Sequence, residues 1–202
     1  MAKRIGKSSG SAPERIGGRH RFEHWYVSNQ VYFISVRCRD RFPALAGEAA
    51  KAVFWDRFDH HTARHQFTPW VTSVVDNHYH VLGYCKVGAE MWPMMQRLHG
   101  SVAKQVNDLL ATRRAPFWSQ KGVGHSGYFD GCIRDEKQCR RAYRYVLTQC
   151  VRHGICPNWR DYRHTRVAVE LDVGVRRALA LGAFMPDVPY ARYERGRASH
   201  AR

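Results

Sequence analysis

Two strand-forming runs joined by a two-residue turn, FTPWVTSVVDNHYHVLGYCK (residues 67–86), constrain this chain more than any other segment. Both runs are rich in β-branched and aromatic residues, and Asp76-Asn77 between them suits a tight turn. The stretch therefore reads as an antiparallel hairpin. Side chains alternate along a strand, so His78 and His80 share one face while Tyr79 and Val81 share the other. Two imidazoles side by side on a rigid strand can chelate one divalent ion. They can equally be two buried, hydrogen-bonded histidines, and spacing alone leaves both readings open.

The other elements are arranged around this hairpin. VYFISVRCR (31–39) reads as a buried strand, and the segment from Pro43 to His65 as an amphipathic helix. After the hairpin, residues 91–114 have apolar side chains near helical spacing, with Pro93 in the first turn. YFDGCI (128–133) is a short strand. Residues 135–155 read as a helix, with Asp135 and Glu136 at its start and Gly154 after its last turn. Beyond Pro157 the pattern weakens, and residues 161–182 suggest one more helix. The order predicts an α+β fold: a ferredoxin-like (RRM-like) βαββαβ unit with an antiparallel sheet and helices on one face, plus a C-terminal helical extension. The expected division is a disordered basic arm at 1–22, a catalytic domain at 23–156, and an extension with a basic tail at 157–202.

Charge narrows the partner. The chain of 202 residues has a formal net charge of +16, which favours a polyanion, most simply nucleic acid. No run reaches the ~18 apolar residues of a spanning helix, and the N-terminal stretch lacks the apolar core of a secretory signal, so no membrane partner is expected. The six cysteines form no C-x-x-C pair, which points to free thiols in a reducing cytoplasm.

The segment RRAYRYVLTQCVRHG carries the complement to the histidines. Cys139, Ala142, Val146 and Cys150 form an apolar stripe, flanked by Tyr143, whose fourth neighbour is Leu147. Tyr145 and Gln149 lie four apart on one shoulder of that stripe, with Arg141 and Arg152 on the same side. Phosphoryl transfer to a tyrosine needs such parts. The phenol is the nucleophile, a divalent ion offsets charge on the scissile phosphate, and arginines hold neighbouring phosphates. Two histidines supply neutral ligands for that ion, and Gln149 an oxygen.

Three stretches together resemble the single-tyrosine HUH transposases, the insertion sequence 200-like and REP-associated tyrosine transposases: DNHYHVL, YFDGCIRDEKQCRRAYRYV and RYVLTQCVRHGI. The resemblance runs from about residue 31 to 155. It implies that His78, His80 and Gln149 bind Mg2+ or Mn2+ and that Tyr145 is the nucleophile. The activity implied is cleavage and strand transfer of single-stranded or hairpin DNA through a 5′-phosphotyrosine, in the cytoplasm at the nucleoid. A homodimer is left open, in which the tyrosine helix could be exchanged between subunits. Where the REP-associated branch carries Asn-Pro, this chain has Gln149-Cys150, as in other insertion-sequence members. The rival readings are a basic DNA- or RNA-binding module without catalysis and a replication-initiation nuclease of the same superfamily. Lys104, Arg113, Arg114 and Lys121 are further expected DNA contacts. His60, His61 and His65 are expected at the surface, His99 and His125 in solvent, and Trp92 and Trp118 in packing roles.

Overall fold

The computed structural model describes residues 26–119 and 128–184. The basic arm, the loop holding Lys121 and His125, and the C-terminal tail lie outside the described residues. Five strands form one antiparallel sheet in the order β4-β1-β3-β2-β5. They are β1 (Gln30–Arg37), β2 (Phe67–Val75), β3 (His78–Cys85), β4 (Tyr128–Cys132) and β5 (Thr165–Val167). The first four in the order 4-1-3-2 are the βαββαβ sheet expected from the sequence. β3 is the middle strand, paired with β1 and β2 along its whole length.

The helices divide between the two faces. α1 (Glu48–Arg64) and α2 (Met91–Asn107), the two helices of the βαββαβ unit, cover one face. Their core holds Phe54, Phe58, Met95, Leu98 and Val102 against Tyr32, Ile34, Tyr79 and Val81 of the sheet. α3 (Glu136–Leu147) and α5 (Leu171–Leu181) lie on the opposite face, where Cys139, Tyr143, Val146, Val175 and Ala178 pack on Val31, Trp70, Val71 and Leu82. The alternation along each strand thus feeds two cores, because neither face is left wholly to solvent.

Several boundaries differ from the periodicity. α2 ends at Asn107, whose side chain bonds both the N–H and the C=O of Arg114 and so turns the chain. The segment after Pro157 yields the short β5 on the edge of β2 before α5. β2 has an irregular register between Pro69 and Val71, and Trp70 there is buried against α5. Gly174 makes that packing possible: a Cβ on it would lie 2.7 Å from the Trp70 ring. Gly174→Ala is expected to lower stability by about 1–3 kcal/mol through overpacking, read as a fall in Tm without loss of secondary structure.

Three histidines expected in solvent are buried. His61 meets Ser101 Oγ at 3.3 Å, and His65 Nδ1 lies 2.5 Å from Glu90 Oε2. His99 Nε2 and the Tyr79 hydroxyl share a hydrogen bond of 2.9 Å beneath Trp118. Each has a partner distant in sequence, so its own helix periodicity does not reveal it. Among the described residues the cysteines are free, as expected, and no helix is long and apolar enough to cross a membrane.

Candidate active site

His78 and His80 sit on the central strand, on the face that carries α3, and both are 5 % exposed. Their ring centroids are 5.0 Å apart. Burial lowers the pKa of His78 to about 4 and that of His80 well below the usual range, with the neighbouring imidazoles and the Arg37 charge adding to the effect. Both rings are therefore neutral at pH 7, the state a metal ligand needs.

The tautomer of His78 follows from its neighbours. The Asn77 side-chain N–H donates to the Arg41 carbonyl at 2.9 Å, so Asn77 Oδ1 is the atom facing His78 Nδ1, at 2.6 Å. His78 Nδ1 must then carry the proton, leaving the Nε2 lone pair free. Nε2 points at Gln149 Oε1, 3.5 Å away. Gln149 is in turn oriented by its own N–H, which donates to the Tyr145 carbonyl at 2.8 Å. Two acceptors thus face each other in a buried place, and Gln149 is only 1 % exposed. Nearby, His80 Nδ1 is buried without a hydrogen-bond partner. Ligand atoms about 2.1 Å from one ion stand about 3.0–3.4 Å from each other, close to the Nε2–Oε1 separation. This donor set fits a divalent cation. Among the described residues, no three His, Cys, Asp or Glu side chains gather as a metal set; the gathered donors are two imidazoles and an amide oxygen.

Asn77 therefore governs which ring nitrogen faces the site. Asn77→Leu is expected to weaken Mn2+ affinity about 10–100-fold, while Asn77→Asp, which keeps the acceptor, restores most of it. Titration calorimetry of the two variants would check this.

Tyr145 comes from α3. Asp135 caps that helix by accepting from the Gln138 N–H at 2.6 Å, and Gln138 Oε1 accepts from the Arg134 N–H at 2.9 Å, closely related to a capping box. The apolar stripe of Cys139, Tyr143 and Val146 docks inward, and Tyr143 donates to the Val169 carbonyl at 3.0 Å. Burial pushes the Tyr143 phenol up to about 12. Tyr145, 37 % exposed, turns to the shoulder instead. Its ring centroid is 5.1 Å from that of His80 and 5.9 Å from that of Phe33. The helix does not continue straight to Gln149. It ends at Thr148, whose hydroxyl donates to the Arg144 carbonyl, and a short α4 (Gln149–Arg152) follows. α4 places the Arg152 guanidinium 5.0 Å from the centre of the Tyr145 ring. His153, after α4, brings a third imidazole to 4.7 Å from the His78 ring, and Arg37 stands opposite His78 on β1.

One group thus unites His78, His80, Tyr145, Gln149 and Arg152 within a single chain. Arg141 lies one turn before Tyr145, exposed. The remaining candidates are elsewhere. Lys104 is on α2, across the sheet from the histidines, and Arg114 stacks on Phe42 at 3.8 Å against the α1/α2 core, with Arg113 exposed beside it. The roles of His153 and Arg37 were not visible as periodicity. Cross-strand register is what brings Arg37 to His78.

No family model matches the sequence, and no curated protein matches it. A solved REP-associated tyrosine transposase bound to a REP hairpin superposes with a TM-score of 0.58 at 15 % identity, over 81 % of this chain and 87 % of that one. The chain has the fold of a REP-associated tyrosine transposase. A putative transposase from Deinococcus radiodurans R1 aligns more loosely, with a TM-score of 0.41 at 12 % identity over 72 % of this chain and 98 % of that one. The fold shared with the first of these structures agrees with the resemblance of the three sequence stretches. In this chain, the surface where that fold's central strand meets its third helix carries the two histidines and the tyrosine.

Proposed function

We propose that this protein is a metal-dependent DNA strand transferase that cleaves single-stranded DNA at hairpin-flanked sites through Tyr145. The observation that supports this most is the meeting of an exposed phenol with a buried pair of neutral imidazoles and a buried amide oxygen that faces one of them. His78, His80 and Gln149 would hold the divalent ion, Mg2+ or Mn2+. Bound there, the ion would polarise the scissile phosphate and offset the charge that develops on it.

The chain's own residues account for the rest. The Tyr145 oxygen attacks the phosphorus; the P–O3′ bond breaks, a 5′-phosphotyrosine forms, and the phenolic proton is transferred in net terms to the departing 3′-oxygen. A second strand's 3′-hydroxyl then attacks the phosphotyrosine and restores the phenol. One phosphodiester replaces another, so no nucleotide energy source is needed. Arg152 and Arg141 hold phosphates on either side of Tyr145. DNA is the partner, the nucleoid is the place of action, and Arg113, Arg114, Lys104 and Lys121 add non-specific charge to the encounter. The domain comprises residues 23–156, with the later segment as its extension.

Incubation with 5′- and 3′-labelled single-stranded DNA and Mn2+ or Mg2+ tests the reading. The expected product is a denaturation-resistant protein–DNA adduct carrying the 3′-side fragment. Free 5′-phosphate ends without an adduct would instead indicate a hydrolytic nuclease, and no cleavage with tight binding would indicate a silent DNA-binding protein.

A further inference from the structure

Lys51 is the one lysine or arginine that is buried among the described residues. Its place is unfavourable on two counts. Its N–H donates to the Gly47 carbonyl at 3.1 Å and closes the first turn of α1, where the helix dipole disfavours a cation. Burial also strips the ammonium of water, and a methionine of similar volume would fill the space without that cost. A residue kept against such local preferences points to something that it holds.

What it holds is the turn that leads into His78. The Lys51 ammonium donates to Asp76 Oδ1 at 3.0 Å and to the Ala46 carbonyl at 2.8 Å. Around that anchor, the segment between β1 and α1 grips both turn residues by their backbones. The Leu45 N–H donates to the Asp76 carbonyl at 2.8 Å, and the Cys38 N–H to the Asn77 carbonyl at 2.7 Å. The same segment fixes the Asn77 side chain. Asp40 and Arg41 have φ of 52° and 57°, in the left-handed region that non-glycine residues rarely enter. The Arg41 carbonyl presented by that bend accepts from the Asn77 amide, and Asn77 Oδ1 accepts from His78 Nδ1. A continuous chain of contacts thus runs from α1, on one face of the sheet, around the turn to a histidine on the other face.

We infer that Lys51 is a positioning residue of the site: by clamping Asp76 it holds Asn77 in place, and Asn77 keeps the His78 proton on Nδ1 and the Nε2 lone pair toward Gln149. The consequence for a bound metal rests on the proposed function; the placement of the proton does not. Simple neutralisation of Asp76 does not account for the bond, because Asp76 is 49 % exposed and water would solvate it without a partner. Removing Lys51 has two effects of opposite sign. An unpaired Asp76 adds negative charge two residues from His78, which strengthens the binding of a cation. A loosened Asn77 lets the His78 tautomer vary, which weakens it. Position and charge are therefore separable by the direction of the change.

The test uses the full chain and Lys51→Met, with the ring nitrogens of His78 followed by nitrogen NMR at pH 7 without metal. A protonated and a bare ring nitrogen differ widely in shift, so the tautomer is read directly. The unmodified chain should show a protonated Nδ1 and a bare Nε2. In Lys51→Met the two signals should move toward each other, Mn2+ affinity by calorimetry should fall about tenfold, and Tm should change little. Asp76→Ala removes the same bond from the exposed side and should reproduce both changes, and the double variant should be no worse than either single one. Asp76→Asn keeps the oxygen acceptor and should leave the tautomer as it is. If Lys51→Met proves unstable, Asp76→Ala decides the matter. An unchanged tautomer in these two variants would overturn the inference, as would tighter Mn2+ binding in Lys51→Met. So would equal shifts at His80 with a large fall in Tm, which would make Lys51 a general packing residue. A tautomer change in the variants, with no Mn2+ bound by the unmodified chain, would remove the metal and leave the positioning. Mn2+ bound equally by all, with unshifted rings, would leave the metal and remove the positioning.

Discussion

Tyr145→Phe is expected to eliminate the covalent protein–DNA adduct altogether while leaving the fold, Mn2+ binding and DNA retention nearly unchanged. The substitution deletes the oxygen that attacks in the proposed reaction, so no residual rate through this residue should remain. Its structural cost is small. Tyr145 is partly exposed, and its hydroxyl makes no hydrogen bond to another described residue. Tyr143→Phe gives the opposite result. The adduct should form normally, and stability should fall by about 0.5–1.5 kcal/mol, because the lost hydroxyl donates to the Val169 carbonyl in a half-buried place. Denaturing gel electrophoresis with labelled DNA and thermal melting of both variants would establish the contrast. An adduct that survives Tyr145→Phe and disappears in Tyr143→Phe would mean that the two phenols exchange roles.

His78→Ala is expected to abolish cleavage and to weaken Mn2+ binding by at least 100-fold, since it removes one of the three gathered donors. DNA affinity should change by less than about threefold, because phosphate contacts by Arg and Lys dominate it. Equal loss of DNA binding and cleavage would show His78 to be a structural residue. The pH response follows from burial. Burial lowers His78 to about 4, so its ring stays neutral between pH 7 and pH 5, and the same cause shifts His80 well below its ordinary value. Mn2+ affinity should therefore hold across that window, whereas an exposed His pair would begin to lose metal below about 6.5. The sign for stability is separate. Unfolded histidines take up protons below about 6.5, whereas folded His78 does so only near 4 and His80 is shifted in the same direction, so the metal-free fold loses stability as pH falls below about 6.5.

The hairpin and its histidine face were legible because the strand period is two and the turn is short, which leaves little freedom in register. The side of α3 that carries Tyr145 was legible for a similar reason: Cys139, Tyr143 and Val146 define the inward stripe, and Tyr145 falls beside it. The break at Thr148 was not. Thr and Gln are tolerated within helices, and the interruption depends on hydroxyl and amide side chains taking up the Arg144 and Tyr145 carbonyls. β5 was missed because three residues are too few to show alternation, and it is held by pairing with Val71, Thr72 and Ser73. The burial of His61, His65 and His99 depends on Ser101, Glu90 and Tyr79, partners that only the tertiary fold brings close. Asn77 was readable as a turn residue, yet its bond to His78 becomes apparent only when the Arg41 carbonyl fixes its amide.

The two halves of the site are mounted on parts of the molecule with different mechanical footing. The histidines belong to β3, whose amides and carbonyls are engaged by neighbours on both sides. The tyrosine and the glutamine flank the interruption between α3 and α4, a four-residue helix with exposed residues at its end. Amide deuterium uptake should accordingly be slowest over His78–Cys85 and fast over Gln149–Arg152. In the proposed reaction, a phenol joined to a long nucleic acid would have to tolerate tugging from its cargo until the second strand arrives. A rigid histidine pair beside a compliant tether would let the tyrosine yield to that pull while His78 and His80 keep their places on β3.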